Sequence, residues 1–139
     1  MNLTSSEIYS IIHDWIEASP LSKTVPTIYD NHYPKQALNR GVMGEFIVLN
    51  ILSNSIGDGQ MATANVNIYV PDIKPRVKSI EQRYPDRERL AELTQIAYDS
   101  LKGYPVTERW FFDVSSESIF SEEGIPYSFA NIKVTLKSF

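Results

Sequence analysis

The sequence predicts an α+β domain of two layers, a mixed five-stranded sheet with two helices on one face. Three observations carry that expectation. Apolar residues recur at three- and four-residue spacing over Ile8–Ile16 and again over Leu90–Leu101, the stripe of an amphipathic helix. Met61–Val70 and Ser128–Lys137 alternate strictly between apolar and polar, the period of a strand with one buried face. Glu45–Leu52 is apolar on both faces, as a central strand must be. With two further strands, the order reads α-β-β-β-α-β-β.

Taken in order, Thr4-Ser5-Ser6-Glu7 has capping-box spacing, the Thr4 hydroxyl accepting from the Glu7 amide while Glu7 reaches back. Ile8, Ile11, Ile12, Trp15 and Ile16 follow as one stripe on a helix ending near Ser19-Pro20, with His13, Asp14 and Glu17 on the wet face. Thr24–Asp30 is a short strand, placed by Pro26 at an edge or a strand start. Asn31–Val42 has turn residues and no period, so a loop is expected. In the central strand Phe46, Val48 and Leu52 point one way and Ile47, Leu49 and Ile51 the other. A turn over Ser53–Gln60, with Gly57-Asp58-Gly59 as its permissive backbone, leads into Met61–Val70.

Pro71–Pro85 carries three prolines and an excess of Lys74, Arg76, Lys78 and Arg83 over Asp72 and Glu81, a basic connector in an acidic chain. The second helix opens at Pro85-Asp86, is lined by Leu90, Leu93, Ile96, Ala97 and Leu101, and stops at Gly103. Arg109–Val114 is an aromatic strand, Ser115–Pro126 an acidic loop, and Ser128–Lys137 the last strand. Because residues 61–114 run strand–helix–strand, a crossover and hence a mixed sheet are expected. Two helices cover one sheet face. The other carries Asn65, Asn67, Tyr69, Asn131, Lys133 and Thr135 together with an apolar row of the central strand. Such a mixed surface suits a subunit interface; alternatively, the loops at 31–42 or 71–85 fold over it.

The 139 residues fit one domain, 1–139, long enough to fold on its own core. A hydrophobic share of 42% beside 22% charged residues excludes disordered and fibrous classes. The absence of cysteine excludes disulfides, thiolate metal sites and a cysteine nucleophile, and fits a reducing cytoplasm. MNLTSSEIYS has no basic n-region, so no signal peptide is expected, and no stretch approaches a membrane span. A formal charge of −4 argues against a dedicated nucleic-acid binder.

Candidate chemistry is sparse. Glu45 with Asp72-Ile73-Lys74 imitates the metal-binding carboxylates and lysine of a PD-(D/E)xK nuclease. The triplet lies between Pro71 and Pro75, however, and proline does not belong in a central strand. His13 and Asp14 are neighbours on a helix, so their side chains are expected to diverge rather than form a base–orienter pair. His32 has Asp30 nearby, but two histidines without an H-x-x-x-H spacing make no zinc pattern. Neither serine-rich segment is a G-x-S-x-G elbow, and Gly57-Asp58-Gly59 precedes a strand rather than a helix N-terminus. The basic connector and Tyr84 could touch a phosphate backbone and a base, with only salt-sensitive affinity. No catalytic, cofactor-binding or metal-binding residue and no cofactor is therefore assigned.

With the elements in this order, the chain resembles the tail-terminator (tail-completion) proteins of long-tailed bacteriophages over roughly Ile28–Lys137. The resemblance rests on GEFIVLNILS, QMATANVNIYV, a helix ending in AYDSLKG, and SFANIKVTLK. It implies a non-enzymatic virion protein that closes into a ring, commonly six-fold, at the end of the tail tube. The implied partners are further copies of itself, the tail-tube protein and head-completion or neck proteins, with no membrane and no specific nucleic acid. The implied place is the virion tail, and the host cytoplasm during assembly. Interface residues would be Asn65, Asn67, Tyr69, Asn131, Lys133 and Thr135 on the free face. Lys74, Arg76, Lys78 and Arg83 would meet the tube or neck. A small binding or adaptor module of the same architecture remains the alternative, with the metal nuclease behind it.

Overall fold

The structure, a computed structural model, describes residues 2–38, 44–57, 59–73, 83–102 and 110–138. Helices α1 (Ser5–Glu17), α2 (Pro20–Thr24), α3 (Lys35–Leu38) and α4 (Arg87–Leu101) accompany strands β1 (Ile28–Asp30), β2 (Phe46–Ser55), β3 (Met61–Pro71), β4 (Trp110–Ser121) and β5 (Tyr127–Ser138). The strands form one mixed sheet in the order β1-β2-β3-β5-β4. Only β1 and β2 pair in parallel; the other neighbours are antiparallel. Strands β3 and β4 thus run the same way on either side of β5, joined through α4, as the expected crossover requires.

Helix α1 begins as the spacing predicts. Thr4 Oγ1 accepts from the Glu7 amide at 3.1 Å, and Glu7 Oε1 accepts from the Thr4 amide at 3.0 Å. Asp86 caps α4 by accepting from the Arg89 amide at 3.1 Å, so Pro85 stands just ahead of the cap rather than in the first turn. The expected stop at Gly103 lies outside the described residues. Ile8, Ile12 and Ile16 of α1, Leu21 of α2, and Leu90, Leu93, Ala97 and Leu101 of α4 pack on Ile47, Leu49, Ala64, Val66, Ile68, Ile132 and Val134. All of these side chains are buried, and they make the main core on a single face of the sheet. The amide of Gln60 ties the chain start to the β2–β3 hairpin: Oε1 accepts from the Leu3 amide at 2.9 Å and Nε2 donates to the Leu3 carbonyl at 2.7 Å.

Several boundaries differ from the sequence reading. Thr24 closes the one-turn helix α2, which shortens the first strand to Ile28–Asp30. Residues 35–38 of the expected loop form α3. Strand β2 runs on to Ser55 past a register shift between Ile51 and Ser53, so the turn is shorter than Ser53–Gln60, and Gly59 takes the left-handed backbone (φ 73°) that it demands. Pro71 ends β3 opposite Tyr127, a strand terminus where a missing N–H is tolerated. The largest difference is in Ser115–Pro126. Strand β4 continues through it to Ser121, with a register shift between Val114 and Ser116 that breaks the alternation.

Leu49→Ala would empty a fully buried site between α1 and the sheet, and should lower unfolding stability by about 2–5 kcal/mol with an unchanged denaturant slope. Thr4→Ala removes the cap and should cost about 0.5–2 kcal/mol in the same urea titration. The backbone and hydroxyl of Thr4 hold the Glu7 carboxyl below its ordinary value of 4.5. Its contribution is therefore present above that value and lost as pH falls through the lower folded one. The stability gap between the native chain and Glu7→Gln should close on acidification and stay constant above neutrality.

Candidate functional site

The face of the sheet turned away from the helices divides into an aromatic half and an amide half. Cross-strand register sets both. Phe46, Tyr69, Phe129 and Phe120 stand opposite one another across β2, β3, β5 and β4. Their rings form a row: Phe46 stacks on Tyr69 with centroids 4.8 Å apart, Tyr69 on Phe129 at 4.7 Å, and Phe129 meets Phe120 at 5.6 Å. The chain covers most of this row itself. Leu38, Ile125 and Tyr127 are buried against Phe46, Val48 and Tyr69, and Tyr29, Tyr33 and Phe129 pack on that cluster. The cover comes from the segment around α3 and from the β4–β5 turn, so the expectation that 31–42 folds over the face holds for its described part. The 74–82 stretch of the other loop lies outside the described residues.

Tyr69 is consequently not a surface residue. It is 5% exposed, and its hydroxyl donates to Glu122 Oε2 at 3.2 Å. Tyr33 donates to the other oxygen of the same carboxylate, also at 3.2 Å. Burial first, and the Glu122 charge second, push both phenols above their ordinary value of 10, far above it for Tyr69. Both stay protonated as donors at neutral pH. The sequence marks Tyr69 by its place in the alternation; the cover over it comes from segments without a period.

Beyond the aromatic row the register places Val48, Asn67, Asn131 and Ser118 together, then Asn50, Asn65, Lys133 and Ser116, then Ser53, Thr63, Thr135 and Asp113. Asn65, Asn67, Asn131, Lys133 and Thr135 thus share one face, as their alternation predicts. Asn131 Nδ2 donates to Asn65 Oδ1 at 3.0 Å and to Asn67 Oδ1 at 2.6 Å, and Asn131 is 8% exposed. Most of that residue's surface is spent inside the sheet. Asn50 Oδ1, buried at the edge of the network, has no hydrogen-bond partner among the described residues.

Two groups of large apolar side chains are exposed at opposite ends of β3. Leu52, Ile56 and Met61 surround the β2–β3 turn, at 50–60% exposure, and Ile73, Tyr84 and Phe120 sit at the other end at 42–50%. Met61 is eight strand steps from Tyr69, which stands level with Phe120, roughly 27 Å. Arg83, the one described member of the predicted basic set, is exposed beside Tyr84; Lys74, Arg76 and Lys78 lie outside the described residues.

The residues that imitate a nuclease are engaged elsewhere. Glu45 takes a two-pronged ion pair from Arg89, Nε to Oε2 at 2.6 Å and Nη2 to Oε1 at 2.8 Å, which raises the guanidinium's pKa. Asp72 Oδ1 accepts from the Ser128 hydroxyl at 2.6 Å, and Lys74 lies outside the described residues. His13 and Asp14 correct the expectation of divergence: His13 Nδ1 lies 3.3 Å from Asp14 Oδ1 and 3.5 Å from Glu17 Oε2. The ring tilts along the helix surface, over Tyr9, and brings Nδ1 between both carboxylates. Both carboxylates are exposed, and the group is the three-residue cluster that could hold a metal ion among the described residues. No helix among the described residues is long and apolar enough to cross a membrane.

The chain matches no protein-family model, and no curated protein matches it.

Asn131→Ala strips the donor from two amide oxygens held inside the face, and should cost about 1–3 kcal/mol in urea unfolding. Lys133→Ala, on the same strand and with no ion pair among the described residues to lose, should stay within about 0.5 kcal/mol.

Proposed function

We propose that this chain is a non-enzymatic subunit of a phage or prophage tail, a tail-terminator or neck protein that assembles into a ring at the end of the tail tube. The observation that carries the reading is the layer arrangement: α1, α2 and α4 occupy one face of the sheet, and large apolar side chains away from that core are left exposed at both ends of β3. The order of elements agrees with the tail-terminator resemblance of Ile28–Lys137.

A ring uses two different patches on each subunit, one meeting the other on the next copy, and the contact must close. Leu52, Ile56 and Met61 at one end, and Ile73, Tyr84 and Phe120 at the other, are two such patches of different make. Each large apolar side chain left in water forfeits roughly 1.5–3 kcal/mol relative to burial, so mating the two groups would supply a driving force. Between them, the exposed parts of Asn65, Asn67, Lys133 and Thr135 offer the polar rim that surrounds the apolar centre of an interface. Partners would be further copies of the chain, with the tube protein and neck proteins above and below.

Light scattering on the purified chain, alone and mixed with tail-tube protein, tests this reading. The expected result is a closed species whose mass is a multiple of 15.8 kDa, weakened by Met61→Lys or Phe120→Lys. A monomer in both conditions would overturn it.

A further inference from the structure

A concavity of about 490 Å³ opens on the free face where α3's approach meets the sheet, and Tyr33, Tyr69, Glu122, Asn50, Lys35 and His32 are among the residues lining it. That size lies within the range of ligand-holding clefts. Its lining mixes donors and acceptors, with Glu122 as the one carboxylate and Lys35 as the one lysine among the described residues. The Glu122 carboxylate accepts a hydroxyl on each oxygen, from Tyr33 and from Tyr69, but these neutral donors leave its charge in place. Each carboxylate oxygen keeps a second acceptor position. Among the described residues, Glu122 has no ion pair. Asn50, also in the lining, holds a buried Oδ1 with no donor among the described residues. The half-buried Tyr33, whose ring meets Tyr69 edge to face at 5.5 Å, adds aromatic surface, while Tyr69, stacked between Phe46 and Phe129, contributes the hydroxyl that fixes Glu122. Lys35 and His32 are both exposed, and Lys35 makes no ion pair among the described residues.

The geometry points to a recognition pocket for a guanidinium group: an arginine side chain presented by a partner protein. A guanidinium offers five donors and no acceptor, which suits the carboxylate and amide oxygens within that lining. Its flat, weakly hydrated face also lies well on aromatic rings, where an ammonium, a compact hydrated charge, fits less well. Charge complementarity rests on Glu122, whose position is fixed by two tyrosine hydroxyls before any ligand arrives. Lys35 is then a rim charge that a cationic ligand passes. This inference does not rest on the tail-assembly reading, since a monomeric chain would carry the same pocket.

The test is a titration of the isotope-labelled full chain with an acetylated, amidated Gly-Arg-Gly peptide, followed by NMR at the Asn50 side-chain amide and the Tyr33 and Tyr69 rings. Parallel titrations use the same peptide with lysine, and with citrulline, the neutral isostere of arginine. Saturable shifts at these groups are expected for arginine, weaker binding for lysine, and a loss of about tenfold or more for citrulline. Glu122→Gln, with its backbone spectrum checked for an intact fold, should weaken arginine binding by a similar factor. Asn50→Asp should tighten it, which a variant that merely misfolds cannot do. Lys35→Ala should leave binding unchanged or stronger. Absent saturation, equal shifts from citrulline, or loss of binding in Lys35→Ala would each overturn the assignment.

Discussion

Helices α1, α2 and α4 shelter one side of a five-stranded sheet, and the other side has to be made compatible with water or with a neighbour by other means. That constraint explains why the side chains of β2 change character along its length. At Phe46–Leu49 both faces are closed, the helix side by the main core and the far side by Leu38, Ile125 and Tyr127. Beyond Asn50 the helix side still packs, through Ile51, while the far side turns to amides and hydroxyls. Burying Asn65 and Asn67 oxygens even partly would be costly if they were unpaired, and Asn131 removes that cost by donating to both.

The closed half depends on a connection that spans much of the chain. Glu122 sits 89 residues from Tyr33 and 53 from Tyr69, yet receives a hydroxyl from each. It joins the β4–β5 turn to the α3 segment across the face of β3. The Glu45–Arg89 pair does the same on the helix side, holding the start of β2 to the first turn of α4. The Glu122 link joins segments that periodicity leaves undefined to a strand that periodicity defines well, whereas the Glu45–Arg89 link joins two elements that it defines.

That division also separates what was legible in the sequence from what was not. The stripes of Ile8–Ile16 and Leu90–Leu101 and the alternations of β3 and β5 specified the layers, because each repeats over two turns or more of helix or ten residues of strand. Helices α2 and α3, five and four residues long, are too short to show a stripe. The far half of β4 read as an acidic loop because the shift at Ser115 inverts its phase. Val114 and Ile119 both pack toward the main core, five residues apart, a spacing that neither a regular strand nor a helix produces. The polar row on β3 and β5 was legible as a face. Its internal bonding was not, since alternation says which way Asn131 points and nothing of what its amide meets. Nor could adjacency on a helix show that the His13 ring turns back between two carboxylates.

The sheet's edges narrow how copies of such a chain could join. Strand β4 is an outer strand twelve residues long, which would invite direct strand addition were it flat and apolar. It is instead irregular at Ser115 and carries Asp113, Glu117 and the four serines Ser115, Ser116, Ser118 and Ser121. At the other edge β1 covers only Ile47–Leu49 of β2, and the uncovered stretch from Asn50 to Ser55 is itself irregular at Leu52. Irregular, polar edges disfavour main-chain pairing between subunits. The apolar groups at the two ends of β3 have no such protection. Association through side chains at the sheet's ends, rather than extension of the sheet, is the mode that this distribution of polar and apolar surface favours.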